Sequence, residues 1–99
     1  MMPRIVNPID EMLFKEVVKE QQRIRVYIEK ARYGKLKTII EGIDEKEFNL
    51  DKIAKKLKGK LACGGTAKDG RIELQGDHRD KVKRLLVELG FSEDLIEIE

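Results

Sequence analysis

Arg23-Ile-Arg-Val-Tyr-Ile-Glu-Lys-Ala-Arg-Tyr-Gly-Lys-Leu-Lys-Thr-Ile-Ile-Glu41 is the stretch on which the fold turns. Ile24, Val26 and Ile28 alternate with Arg23, Arg25, Tyr27 and Glu29, the period of a half-buried strand. Leu36 to Glu41 reads as a second strand. Between them Ala31-Arg32-Tyr33-Gly34-Lys35 reads as a hairpin tip, with Gly34 free to take positive φ. Gly42 ends the second strand.

Downstream of the hairpin, Asn49 opens a helix whose Leu50, Ile53, Ala54 and Leu57 recur at i, i+3, i+4 and i+7, a single apolar stripe. At about 100° per residue, Lys52, Lys55 and Lys56 fall on the opposite side and Lys58 on the flank, with Gly59 placed as a C-terminal cap. Lys60 to Ala67 then reads as a third strand of small residues, Asp69-Gly70 as a two-residue hairpin turn, and Arg71 to Gln75 as a fourth strand. Asp77 caps a second helix with the stripe Val82, Leu85, Leu86 and Leu89. Gly90 sits where a left-handed cap belongs, with Phe91 folding back on the last turn. Leu95 to Glu99 alternates as a fifth strand. The order is β-β-α-β-β-α-β. Two helices with one stripe each must cover one face of the sheet. The expected fold class is therefore α+β, a two-layer sandwich of a mainly antiparallel five-stranded sheet with two helices on one face.

Upstream, residues 1–22 read as an N-terminal arm, either mobile or a short helix from Glu11 to about Gln22, and residues 23–99 as a single α+β domain. Ninety-nine residues, 40% apolar and 40% charged, suit one soluble globular domain with a small core. No apolar run approaches the ~20 residues of a membrane span, and the N-terminus has no apolar signal region, so a cytoplasmic protein with no membrane partner is expected. One cysteine and one histidine supply neither a disulfide nor a zinc site, and no cofactor motif is present, so no metal, no cofactor and no catalytic residues are expected.

The net charge of +2 conceals segregation. Residues 21–40 carry a balance of +5, 41–51 of −4, 52–60 of +5, and the tail from Ser92 of −4. Two basic blocks in so short a chain suit a surface that tracks phosphates. At the tip, Arg32, Lys35 and Lys37 flank Tyr33 and Gly34; guanidinium, ammonium and a ring suit phosphates and unpaired bases. The ring of Tyr33 either stacks outward or folds back onto the hairpin.

His78 reads as a packed or capping residue, Asp77 and Asp80 as helix N-terminal acids, and Cys63 as a small hydrophobe. Gly64-Gly65 lacks the Gly-Lys-Ser/Thr of a phosphate loop and reads as a close backbone approach. An RNA-recognition motif would need aromatics in the third strand and a KH domain a Gly-x-x-Gly loop; neither is present. From the residues alone the reading is a small binding module for RNA or the ribosome. A protein-interaction module and a small enzyme are the other classes, the second disfavoured by the single histidine.

Leu61-Ala62-Cys63-Gly64-Gly65-Thr66, Asp69-Gly70 and Ile72-Glu73-Leu74-Gln75-Gly76-Asp77-His78-Arg79 strongly resemble the archaeal and eukaryotic translation initiation factor one family. The likeness extends through Arg32-Tyr33-Gly34-Lys35 and Ile40-Glu41-Gly42-Ile43, covers roughly residues 21–99, and is archaeal in type through Glu20-Gln21-Gln22. The resemblance implies a non-enzymatic factor that binds the small ribosomal subunit near the P site and enforces accurate start-codon selection. Its implied partners are small-subunit RNA, initiator tRNA and other initiation factors, and off the ribosome it is expected as a monomer. Carried over, the implied RNA and ribosome contacts are Arg32, Tyr33, Gly34, Lys35 and Lys37 in the loop, and Lys52, Lys55, Lys56, Lys58 and Lys60 along the helix. The tip is shorter and less polar than the eukaryotic loop, and the second hairpin is a bare Asp69-Gly70 turn.

Overall fold

The alternation of the first strand becomes the two faces of one sheet in the computed structural model, which describes residues 23–99. The expected N-terminal arm, residues 1–22, lies outside the described residues. β1 (Ile24–Lys30) and β2 (Leu36–Glu41) pair antiparallel, with Val26 opposite Ile40 and Ile28 opposite Thr38. α1 (Leu50–Leu61) follows, then β3 (Gly65–Lys68), β4 (Arg71–Gln75), α2 (Arg79–Glu88) and β5 (Ile96–Ile98). The sheet order is β3-β4-β2-β1-β5, antiparallel except for the β1–β5 pair. This is the expected α+β fold, with one parallel pair at the edge.

Ile24, Val26, Ile40, Ile72 and Leu74 project from one side of the sheet into a single core with Leu50, Ala54 and Leu57 of α1 and Val82 and Leu86 of α2. Both helices therefore lie on that face. Full burial of a side chain such as Leu57 or Leu86 contributes about 1.5–3 kcal/mol. Thr38 faces the same core, fully buried, and its hydroxyl is satisfied: it donates to Gly76 O at 2.6 Å and accepts from His78 N at 2.8 Å.

The helix starts and stops correct the sequence reading in three places. Asn49 caps α1, its side chain accepting from Lys52 N at 3.1 Å. Gly59, however, does not end the helix. Leu61 lies one turn beyond Leu57 and packs against the core, which carries α1 on to Leu61. Ala62 then takes the left-handed turn (φ 53°), with Cys63 N donating to Lys58 O at 3.2 Å. The third strand consequently starts at Gly65 rather than Lys60. At α2 the cap position falls on His78, not Asp77. The Asp77 carboxylate holds the Arg79 guanidinium at 2.9 Å and also accepts from Arg79 N, the first residue of the helix, at 3.4 Å, and the ring of His78 lies against Gln75 O at 2.8 Å.

The end of α2 follows the expected pattern. Gly90 (φ 108°) donates to Val87 O at 3.0 Å and Phe91 N to Leu86 O at 3.1 Å, which seats Phe91 in the core. Gly65 is also needed where it stands, because a Cβ there would strike the carbonyl of Glu73 on β4.

Candidate nucleic-acid interface

The sheet's other face carries Arg25, Tyr27, Glu29, Lys37, Ile39, Glu41, Arg71 and Glu73, the residues out of phase with the core. In the structure Ile39 is fully buried there, between Tyr27 and Glu73, beneath a layer of ion pairs. Arg71 holds Glu73 at 3.0 Å and reaches Glu29 and Glu41 at 3.6 Å each. Lys37 Nζ donates to Glu73 at 3.2 Å. Arg25 bridges Glu41 at 3.1 Å and Glu99 at 2.8 Å, and the Tyr27 hydroxyl donates to Glu41 at 2.7 Å. Burial pushes the Glu73 carboxyl up, but the hydrogen bonds from Lys37 and Arg71 outweigh it and hold the group below the usual carboxylate range. The hydrogen bond from Arg25 likewise holds Glu99 low.

The cations of α1 and of the hairpin tip are different. Lys52, Lys55, Lys56 and Lys60 are exposed and Lys58 half-buried, and among the described residues none of the five takes part in an ion pair. The same holds for exposed Arg32 and Lys35. Of the cations expected to act together, Lys37 is thus set apart: its side chain belongs to the open sheet face.

The tip is a tight turn. Ala31 N donates to Lys35 O at 2.6 Å, and Lys35 N donates to Arg32 O at 3.3 Å, closing a reverse turn over Tyr33 and Gly34. Gly34 takes positive φ as expected (74°), and so does Tyr33 (61°). The choice between the two readings of the ring falls to the outward one, since Tyr33 is 95% exposed.

Topology gathers part of this charge at one end of the sheet. Gly76 N donates to Leu36 O at 2.8 Å and Gln75 N to Gly64 O at 2.9 Å, so the start of β2, the end of β4 and the start of β3 lie side by side. The tip projects from that end, and the last turn of α1, with Lys58 and Lys60, leads into it. Glu45, Glu47, Asp51 and Asp69 line one cleft at the opposite end, together with Lys46 and Lys68.

Cys63 is half-buried at the margin of the core, and burial pushes its thiol up, away from reactivity. Among the described residues no cluster of three or more His, Cys, Asp or Glu side chains could hold a metal, and no helix is long and apolar enough to cross a membrane.

Fold and surface together define a small α+β module with one internally neutralised face and a separate set of cations that form no ion pair among the described residues. The family model described as Translation initiation factor SUI1 matches residues 20–92, and the chain belongs to that family. It is 86% identical over 98 residues to the protein translation factor SUI1 homolog of Thermococcus kodakarensis, covering 99% of this chain and all of that one. The homolog from Pyrococcus furiosus is 85% identical over 98 residues, with the same coverage. That of Methanocaldococcus jannaschii is 54% identical over 96 residues, covering 97% of this chain and 93% of the relative. The chain is thus an archaeal-type SUI1 translation factor with a role in translation initiation.

Proposed function

We propose that the protein binds the small ribosomal subunit near the P site and enforces accurate start-codon selection with initiator tRNA, beside other initiation factors, and that it is a monomer off the ribosome. The observation that carries this reading is the division of its cations. Among the described residues, Lys52, Lys55, Lys56, Lys58 and Lys60 on α1, with Arg32 and Lys35 at the tip, form no ion pair, while the cations of the open sheet face are held by carboxylates. Unpaired cations on a rigid helix are suited to displacing counterions from an RNA backbone.

In this reading α1 anchors the body on ribosomal RNA, and the tip, with Arg32, Tyr33, Gly34 and Lys35, approaches the decoding region. Lys37 supports the tip from below through Glu73 rather than touching RNA. A binding protein enforces choice only by favouring one state of the complex, because equal affinity for both shifts nothing. A short, tightly closed loop fits while codon–anticodon pairing is loose and is displaced once correct pairing settles the tRNA.

The two regions therefore separate under mutation. Arg32→Ala with Lys35→Ala is expected to change initiation-complex stability on start against near-start codons more than it weakens small-subunit binding. Lysine-to-alanine variants of α1 are expected to do the reverse. Loop variants that lose affinity equally on every codon would remove the discrimination role from the loop.

A further inference from the structure

Tyr33 is the one large hydrophobic side chain among the described residues that is almost wholly in water, at 95% exposed; the next, Val87 and Ile98, are 39% and 37%. It is also held in the left-handed region (φ 61°, ψ 28°), where a bulky side chain is disfavoured and glycine, asparagine or aspartate is the usual occupant. The fold gains nothing visible from the ring. It buries almost no surface there and makes no ring contact among the described residues, unlike Phe48 and Phe91, whose centroids lie 5.2 Å apart. An exposed ring on a strained backbone in an otherwise regular hairpin is the pattern of a residue retained for a ligand.

The surroundings identify the ligand's chemistry. Arg32 and Lys35 flank the ring, both exposed and without acidic partners among the described residues. The nearest acid along β1, Glu29, is engaged by Arg71 at 3.6 Å. Gly34, next to the ring, has nothing within 4 Å of where a Cβ would stand, so the ring's approach is open. A flat apolar face between two cations matches a nucleobase between two phosphates. A base inside a duplex has its faces covered by its neighbours, so only a base out of the stack offers a surface to the ring. We propose that Tyr33 stacks on a single unpaired nucleobase of RNA, with Arg32 and Lys35 holding the flanking phosphates, so that the tip senses an unstacked base and not merely negative charge. This rests on the RNA-binding reading of the loop and deepens it.

The test separates stacking from charge and from fold. Tyr33→Gly, with a residue that accepts positive φ, is expected to leave the thermal midpoint unchanged or raised. It is expected to weaken binding to purified small ribosomal subunits about 5- to 150-fold, with the slope of log affinity against log salt unchanged, because stacking releases no counterions. The loss shrinks with Tyr33→Phe, which keeps a ring, and not with Tyr33→Leu. As a second arm, short oligoadenylate is expected to bind more tightly than an abasic strand of the same length, and Tyr33→Gly is expected to abolish that preference. A Tyr33→Gly protein that binds as tightly as the parent, that falls in salt slope, or that loses thermal stability overturns the stacking role. If Arg32→Ala with Lys35→Ala leaves both affinity and salt slope untouched, the RNA-binding reading of the loop fails instead, whatever Tyr33 does.

Discussion

The open face of the sheet and the outer surface of α1 are both rich in cations, yet they use them in opposite ways. On the sheet, Arg25, Lys37 and Arg71 each meet a carboxylate within 3.2 Å, and together they roof a fully buried Ile39. On α1, Lys52, Lys55 and Lys56 face solvent and take part in no ion pair among the described residues, although Asp51 stands at the start of the same helix. Charge count alone would rank the two surfaces together. The difference lies in geometry: strands place opposite charges across from one another, as with Arg25 and Glu41 or Glu29 and Lys37, and so neutralise themselves. The helix run from Lys52 to Lys60 contains no acid to do so.

That contrast is most severely tested at Ile39. If the ion-pair layer is structural, Ile39→Ala opens a cavity beneath it and costs about 2–5 kcal/mol in chemical denaturation, comparable to a core change such as Leu86→Ala. A cost below about 1 kcal/mol would mean the open face is only a wet surface. Asn49→Ala removes the cap of the helix that presents the lysines and is expected to cost about 1 kcal/mol, read in the same experiment.

A subtler separation comes from pH. The Glu73 carboxyl titrates below its ordinary value of 4.5, so its contribution is complete above that pH and is lost as pH falls through the lower folded-state value. Glu73→Gln is therefore expected to be less stable than the parent near about pH 7 and to show a flatter loss of stability on acidification. Parallel acid limbs for the two proteins would place the acid-sensitive groups elsewhere.

Much of the architecture is legible in the sequence because it is periodic. The strand bounds Leu36–Glu41 and Arg71–Gln75, the two helical stripes and the Gly90 cap follow from spacing alone. The failures occur where a distant contact overrides a local signal. Gly59 is a plausible stop, but Leu61 has a place in the core, and that burial carries the helix past it. Asp77 is a plausible cap, but the cap position falls one residue later, on His78, and the Asp77 carboxylate is shared between the guanidinium and the backbone N–H of Arg79.

Distant contacts decide the surface in the same way. The positions of all the cations can be read from the sequence, but not which of them are paired. Lys37 looks like a partner of Arg32 and Lys35 until β4 is laid beside β2, which brings Glu73 within its reach. Ile39 looks like one more strand residue until Arg71 and Glu73, more than thirty positions away, close over it. Likewise no local pattern announces that Tyr33, rather than Gly34 alone, adopts positive φ.

The claim that unpaired cations bind RNA while paired ones hold the sheet is tested most directly by salt. Small-subunit binding is titrated against ionic strength for the parent, for Lys52, Lys55 and Lys56 all changed to Ala, and for Arg25→Gln combined with Lys37→Gln. The α1 variant is expected to lose about two units of slope in log affinity against log salt, with its denaturation midpoint unchanged. The open-face variant is expected to keep the parental slope and to denature earlier. An unchanged slope for the α1 variant, or a reduced slope for the open-face variant, would contradict the division of labour between the two surfaces.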